Sequence, residues 1–218
     1  AAKDGNDTAA DEILNNNQDA ITNAQKNAAA NSEIEAAINP DGHIWGSADA
    51  PIKIIVYSDF ACPFCPDFAD TIKKAIEDFG EKIVVEYRHF PLRSEAQAIP
   101  AAIASECADE QGQFWEMHDK LFADNKEGLM NAAVYQADAK ELGLSTSKFN
   151  KCLESEKYKD QVLAQLAAGE EAGVAGAPTS FINGEKVDGA APFADFKHSD
   201  GQEGEGMKNI ILRHLDDK

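Results

Sequence analysis

The chain has no run of about 18 apolar residues, so it offers no helix that crosses a membrane. Basic residues are few: 20 Lys and Arg stand against 39 Asp and Glu, giving a formal net charge of −19. A surface of that sign repels nucleic acid and anionic lipid, and both are set aside as partners. The same acidity favours solubility and suits a salty environment. There is no glycine-rich phosphate loop, no Ser/His/Asp order, no metal-spaced His/Asp cluster and no internal repeat. Nucleotide, hydrolase and metal chemistry therefore leave no signature. The opening residues Ala1-Ala2-Lys3-Asp4-Gly5 lack the basic and apolar parts of a signal peptide. This leaves a cytosolic protein or one whose signal was removed ahead of this numbering.

Cysteine is also sparse, with four in 218 residues, but two of them form Cys62-Pro63-Phe64-Cys65. The motif follows the apolar run Ile52 to Tyr57 and opens the amphipathic run Phe68 to Phe79. Two thiols at this spacing, where a strand hands over to a helix, can open and close as a disulfide. Unpaired N–H groups at the helix start favour a thiolate on Cys62, the sulfur expected to be the more exposed. Asp59, Asp67 and Asp70 flank the motif and oppose that thiolate, so backbone N–H groups rather than basic side chains are expected to hold it. Half of a zinc site is the first alternative. It needs a second ligand pair, and Cys107 and Cys152 stand far apart without a nearby histidine. A purely structural Cys62–Cys65 bond is the other, although so short a loop restricts the unfolded chain little.

Residues 1–40 are rich in Ala, Asn and Asp, with Ile13, Leu14, Ile21, Ile34 and Ile38 as their large apolar residues. Such a thin stripe reads as a polar helical extension or tail, or as an arm that pairs with another copy. Asn39-Pro40-Asp41-Gly42 marks a turn and a boundary. Strands are expected at Ile44-Trp45, Ile52–Ser58 and Lys82–Phe90, with a motif helix that Gly80 ends. Pro63 fits the first turn of that helix, and Pro66 sits less comfortably in the second. Residues 94–175 turn helical, 176–218 return to strands and a last helix, and Asn183-Gly184 is a strong hairpin signal. The acidic, glycine-rich stretch Ser199 to Gly206 is expected to be mobile.

Four segments in this order resemble the DsbA-like branch of the thioredoxin superfamily. They are Ser58-Asp59-Phe60-Ala61-Cys62-Pro63-Phe64-Cys65, Tyr87-Arg88-His89-Phe90-Pro91-Leu92, Gly112 to Phe122, and Gly173 to Gly184, within residues 43–218. The resemblance implies an α/β thioredoxin fold in two parts, 41–93 and 176–218, around an all-helical insert, with residues 1–40 as an N-terminal extension. It implies that Cys62 is the nucleophile, Cys65 the resolving thiol, Pro63 and Phe64 the dipeptide that tunes them, and Pro178 a cis-proline beside the substrate. Two departures accompany it. Val56 stands where several members carry a buried acid, which leaves the Cys65 proton to water or to an acid from elsewhere such as Glu86, and Ala177 precedes the proline where threonine or valine is frequent.

Cys107 and Cys152 fall in the insert and are read as a structural disulfide tying two helices, with buried free thiols as the alternative. His118, among Phe114, Trp115, Leu121 and Phe122, is read as a packed helix histidine, and His89 as a surface residue at a strand end. The function expected is a periplasmic or secreted thiol:disulfide oxidoreductase that donates the Cys62–Cys65 disulfide to reduced proteins and is recycled by a redox partner protein. No other cofactor and no metal are required. A dimeric isomerase or reductase of the same fold, or a non-catalytic peptide-binding module, are the competing readings.

Overall fold

The computed structural model describes residues 37–216, so nearly all of the proposed N-terminal extension lies outside the described residues. Strands β1 (His43–Trp45), β2 (Ile52–Ser58), β3 (Ile83–His89), β4 (Thr179–Ile182) and β5 (Glu185–Asp188) form a five-stranded mixed sheet in the order β1-β3-β2-β4-β5. β2 and β3 run parallel with Val56 opposite Tyr87, and the other pairs are antiparallel. The parallel pair needs a crossover, which helix α1 (Cys65–Phe79) supplies.

Alternation along the strands sorts the two faces of the sheet. Ile52, Ile54, Val56, Ile83 and Val85 pack with Phe68 and Ile72 of α1 and with Ile210 and Ile211 of helix α7 (Met207–Asp216). The opposite face presents Ile55, Tyr57 and Phe181 to Leu166 of helix α6 (Lys159–Glu171). Gly169 permits the close approach of α6, because a Cβ there would come within 2.9 Å of the Tyr57 ring.

Helices α2 (Ala98–Asp109), α3 (Phe114–Glu127), α4 (Ala132–Glu141) and α5 (Thr146–Glu154), together with α6, fill the chain between β3 and β4. Their core includes Met117, Leu121, Tyr135 and Phe149, and it also receives Tyr87, Cys62 and Cys65 from the sheet side. A Cys107–Cys152 disulfide joins α2 to α5 across a Cα–Cα distance of 5.8 Å.

Three local expectations are corrected. α1 begins at Cys65, so Pro66 occupies its first turn, where a missing N–H costs nothing, and Pro63 belongs to the preceding turn. The acidic stretch before α7 is structured in part. β6 (Phe196–Lys197) pairs with β7 (Glu203–Gly204), and the Phe196 ring covers Gly204, which has no side chain to obstruct it. His89 is 1% exposed rather than a surface residue, because the inserted helices cover the end of β3 and its ring meets Glu106 of α2.

Candidate functional site

The cysteine motif begins where β2 ends. Cys62 N–H donates to Asp59 O at 3.2 Å and Cys65 N–H to Cys62 O at 3.3 Å, forming the tight turn that leads into α1. Asn125 of α3 holds this turn from the insert: its Nδ2 donates to Phe60 O at 2.6 Å and to Cys62 O at 3.1 Å. Both cysteines are free thiols and both are buried, Cys62 at 1% exposure and Cys65 at 0%. Cys62, expected to be the more exposed sulfur, is thus closed to solvent as well. The exposed members of the motif are Pro63 and Phe64, the latter at 66%.

Cys62 Sγ donates to Ala177 O at 3.3 Å, and the Ala177–Pro178 bond is cis. The residue before the proline therefore touches the first sulfur through its carbonyl. Ala177 and Pro178 meet Cys62 although 115 positions separate Ala177 from Cys62.

The two sulfurs are driven apart in acidity. A hydrogen bond from the Cys65 thiol, supplemented by the N–H groups of Phe64 and Cys65, brings the Cys62 thiol down to about 7 against burial and the Asp59 charge. Backbone donors thus contribute as expected, but the neighbouring thiol contributes most. Burial and the adjacent Cys62 push Cys65 far up, so it stays protonated.

Glu86 is not placed to receive the Cys65 proton. It lies on the other sheet face, where Oε1 accepts from Arg88 Nε at 2.7 Å and Oε2 from Asn39 N–H at 2.8 Å. The carboxyl that acts on Cys62 is Asp59, 2% exposed, with Oδ1 accepting from Ala61 N–H at 2.8 Å and Oδ2 from Leu92 N–H at 2.9 Å. Burial pushes it up to about 6, despite those two donors. Along the sequence Asp59 stands out only as a charge flanking the motif. Its position as the first polar acid after a buried strand was the available signal. Val56 remains apolar and lines a cavity of about 20 Å³ with Trp45, Phe68, Tyr87, Trp115 and Phe122.

His118 is packed as expected, with Nδ1 3.0 Å from Asp119 Oδ1 and the ring edge-on to Phe122. The absence of a metal-spaced cluster, by contrast, holds only along the chain. In three dimensions His43, His89 and Glu106 come together.

Comparison with known proteins bears on the whole arrangement. The family model described as Thioredoxin matches residues 38–199. Among solved structures, alpha-DsbA1 of Wolbachia pipientis superposes with a TM-score of 0.66 at 22% identity, over 85% of this chain and 96% of that one. BdbD of Bacillus subtilis superposes with a TM-score of 0.68 at 21% identity, over 80% and 93% of the two chains. These likenesses establish the fold, a sheet of this order interrupted by a helical insertion. A curated protein, Na(+)/H(+) antiporter NhaA 3 of Salinispora tropica, is 33% identical over 154 residues, which are 70% of this chain and 23% of that protein. The chain thus spans about a quarter of the curated relatives it matches, and among its described residues no helix is long and apolar enough to cross a membrane.

Proposed function

Since this chain belongs to the thioredoxin family, we propose that it is a DsbA-type thiol:disulfide oxidoreductase that oxidises reduced proteins with its Cys62–Cys65 disulfide. The observation that carries the reading is the contact of Cys62 Sγ with the carbonyl preceding a cis-proline, at 3.3 Å. Pro178 O is taken by Gly189 N–H at 2.9 Å, which leaves the main chain of Ala177, beside the sulfur, to meet an extended substrate segment.

In the proposed reaction a substrate thiolate attacks Cys62 Sγ. The Cys62–Cys65 bond breaks, a mixed disulfide forms, and Cys65 leaves with the electron pair and takes up a proton. A second substrate thiolate then attacks the substrate sulfur, releasing Cys62 as a thiolate and the substrate as a disulfide. Two electrons pass from substrate to enzyme, so no further group is needed, and a partner protein must remove them for the next cycle. The roles follow from acidity: Cys62 is the better leaving thiolate, and buried Cys65 is the thiol that closes the disulfide again. Exposed Phe64 offers an apolar contact to a partner. Pro63, which has no N–H, leaves the turn's donors to Phe64 and Cys65.

An oxidising compartment, periplasmic or extracellular, fits a chain that carries both a buried structural disulfide and a redox pair. The deciding measurement is the reduction potential of Cys62–Cys65 in glutathione buffers, read by alkylation and mass. A value near about −120 mV supports the oxidase, and one near about −270 mV replaces it with a reductase or isomerase of the same fold.

A further inference from the structure

His43 of β1, His89 of β3 and Glu106 of α2 meet at the seam where the inserted helices cover the sheet edge. His43 Nε2 lies 2.8 Å and His89 Nε2 2.9 Å from the same oxygen, Glu106 Oε1. The three ligand atoms all fall within 4.8 Å of one another. Glu106 is 2% exposed, and among the described residues its ion-pair partners are these two imidazoles, with no Lys or Arg. A carboxylate taken this far from water needs compensating positive charge.

His43 indicates the form that compensation takes. Its Nε2 faces Glu106 while its Nδ1 stands 3.7 Å from Asp109 Oδ1, so both ring nitrogens look toward carboxylates. A neutral imidazole has only one N–H for the two. With that proton on Nδ1, the Nε2 lone pair is free for a cation seated between it and Glu106. A ligating histidine commonly has a carboxylate on the side of its second nitrogen, and Asp109 stands there, at 3.7 Å just beyond direct hydrogen-bond contact. The ring is held in place by stacking on Phe114, with centroids 3.5 Å apart and planes at 4°. Its side chain is 10% exposed, which gives an ion a way in.

We propose that His43, His89 and Glu106 form a binding site for a divalent transition-metal ion of the Zn²⁺ kind, with Asp109 orienting His43. Two imidazoles and a carboxylate suit zinc, whereas Ca²⁺ and Mg²⁺ select all-oxygen sets. Tetrahedral arms of zinc length put ligand atoms about 3.3 Å apart, so both nitrogen–oxygen separations open by only about 0.5 Å. Water completes the coordination on the His43 side. Because the ligands come from β1, β3 and α2, the ion clamps the insert to the sheet. It is independent of the cysteine chemistry.

The test titrates zinc into the full chain with Cys62 and Cys65 oxidised to their disulfide, so that no thiolate competes, and with excess Mg²⁺ present to occupy surface carboxylates. Expected are one bound equivalent, a thermal midpoint that rises with zinc concentration, and binding weakened about 100-fold in His43→Ala and about 10-fold in Asp109→Asn. Co²⁺ in place of zinc should give the visible bands of a nitrogen–oxygen site in the wild type and lose them in His43→Ala. Equal zinc affinity in the wild type and His43→Ala overturns the proposal and leaves a hydrogen-bonded triad. Glu106→Gln provides a second decision, since wild-type affinity in that variant also overturns it.

Discussion

Cys107–Cys152 and Cys62–Cys65 sit in the same apolar cluster, and none of the four residues is more than 4% exposed. The first pair is 45 residues apart and closed as a disulfide. The second pair is three positions apart and reduced. A loop of 45 residues loses about 4 kcal/mol of unfolded-state entropy on closure, against about 2 kcal/mol for a loop of four. The long-range bond therefore has stability to contribute, while the short one is governed by what surrounds its sulfurs. Cys62 has a carbonyl, two N–H groups, a thiol and a carboxyl near it. Burial alone does not separate a structural sulfur from a reactive one; the polar groups brought to it do.

The sharpest break in this comparison is Cys62→Ser. Oxidation of a reduced, unfolded protein should fall to the uncatalysed rate, while Cys107→Ala/Cys152→Ala should retain most of the wild-type rate if it folds. Retained activity in Cys62→Ser would remove the enzymatic reading. Next in size, the Cys107→Ala/Cys152→Ala variant should lose about 4 kcal/mol in denaturant unfolding, with the Cys62–Cys65 potential unchanged. A stability loss below about 1 kcal/mol would mean that the insert does not depend on its disulfide.

Asp59→Asn gives the smallest effect and a direction that is easily checked. An anionic Asp59 opposes the Cys62 thiolate, so the amide should lower the Cys62 midpoint from about 7 and speed alkylation by about threefold between about pH 6 and 7, where Asp59 is ionised. Slower alkylation would contradict the assignment. The same substitution tests stability. Asp59 holds its proton more tightly folded, at about 6, than at its ordinary 3.8, so wild-type stability should decline as pH rises from about 4 to about 6 and then level off. Asp59→Asn should lack that slope in denaturant midpoints measured across the same range.

Much of the framework was legible along the chain because its signals are local. A continuous apolar run located β2, alternation located β3, helical spacing located α1, and Asn183-Gly184 turned the β4–β5 hairpin with φ of 47° and 88°. His89 was misread because its strand end carries no mark of the helix that covers it. Pro66 was misread because the cysteine motif drew the helix start three residues too early. Glu86 looked available as an acid because Arg88, two residues on, gave no sign of pairing with it along the same face.

By itself, the sequence determined the order of strands and helices, the placement of a two-thiol motif at a strand–helix junction, and an acidic surface. Each depends on periodicity, turn chemistry or composition, which act between residues a few positions apart. Only the tertiary structure decided that Ala177 O reaches Cys62, that Glu86 pairs with Arg88 away from the cysteines, and that His43 and His89 converge on Glu106. Those contacts join residues brought together by packing two faces of a sheet against separate helices, and no local pattern encodes which distant partner arrives.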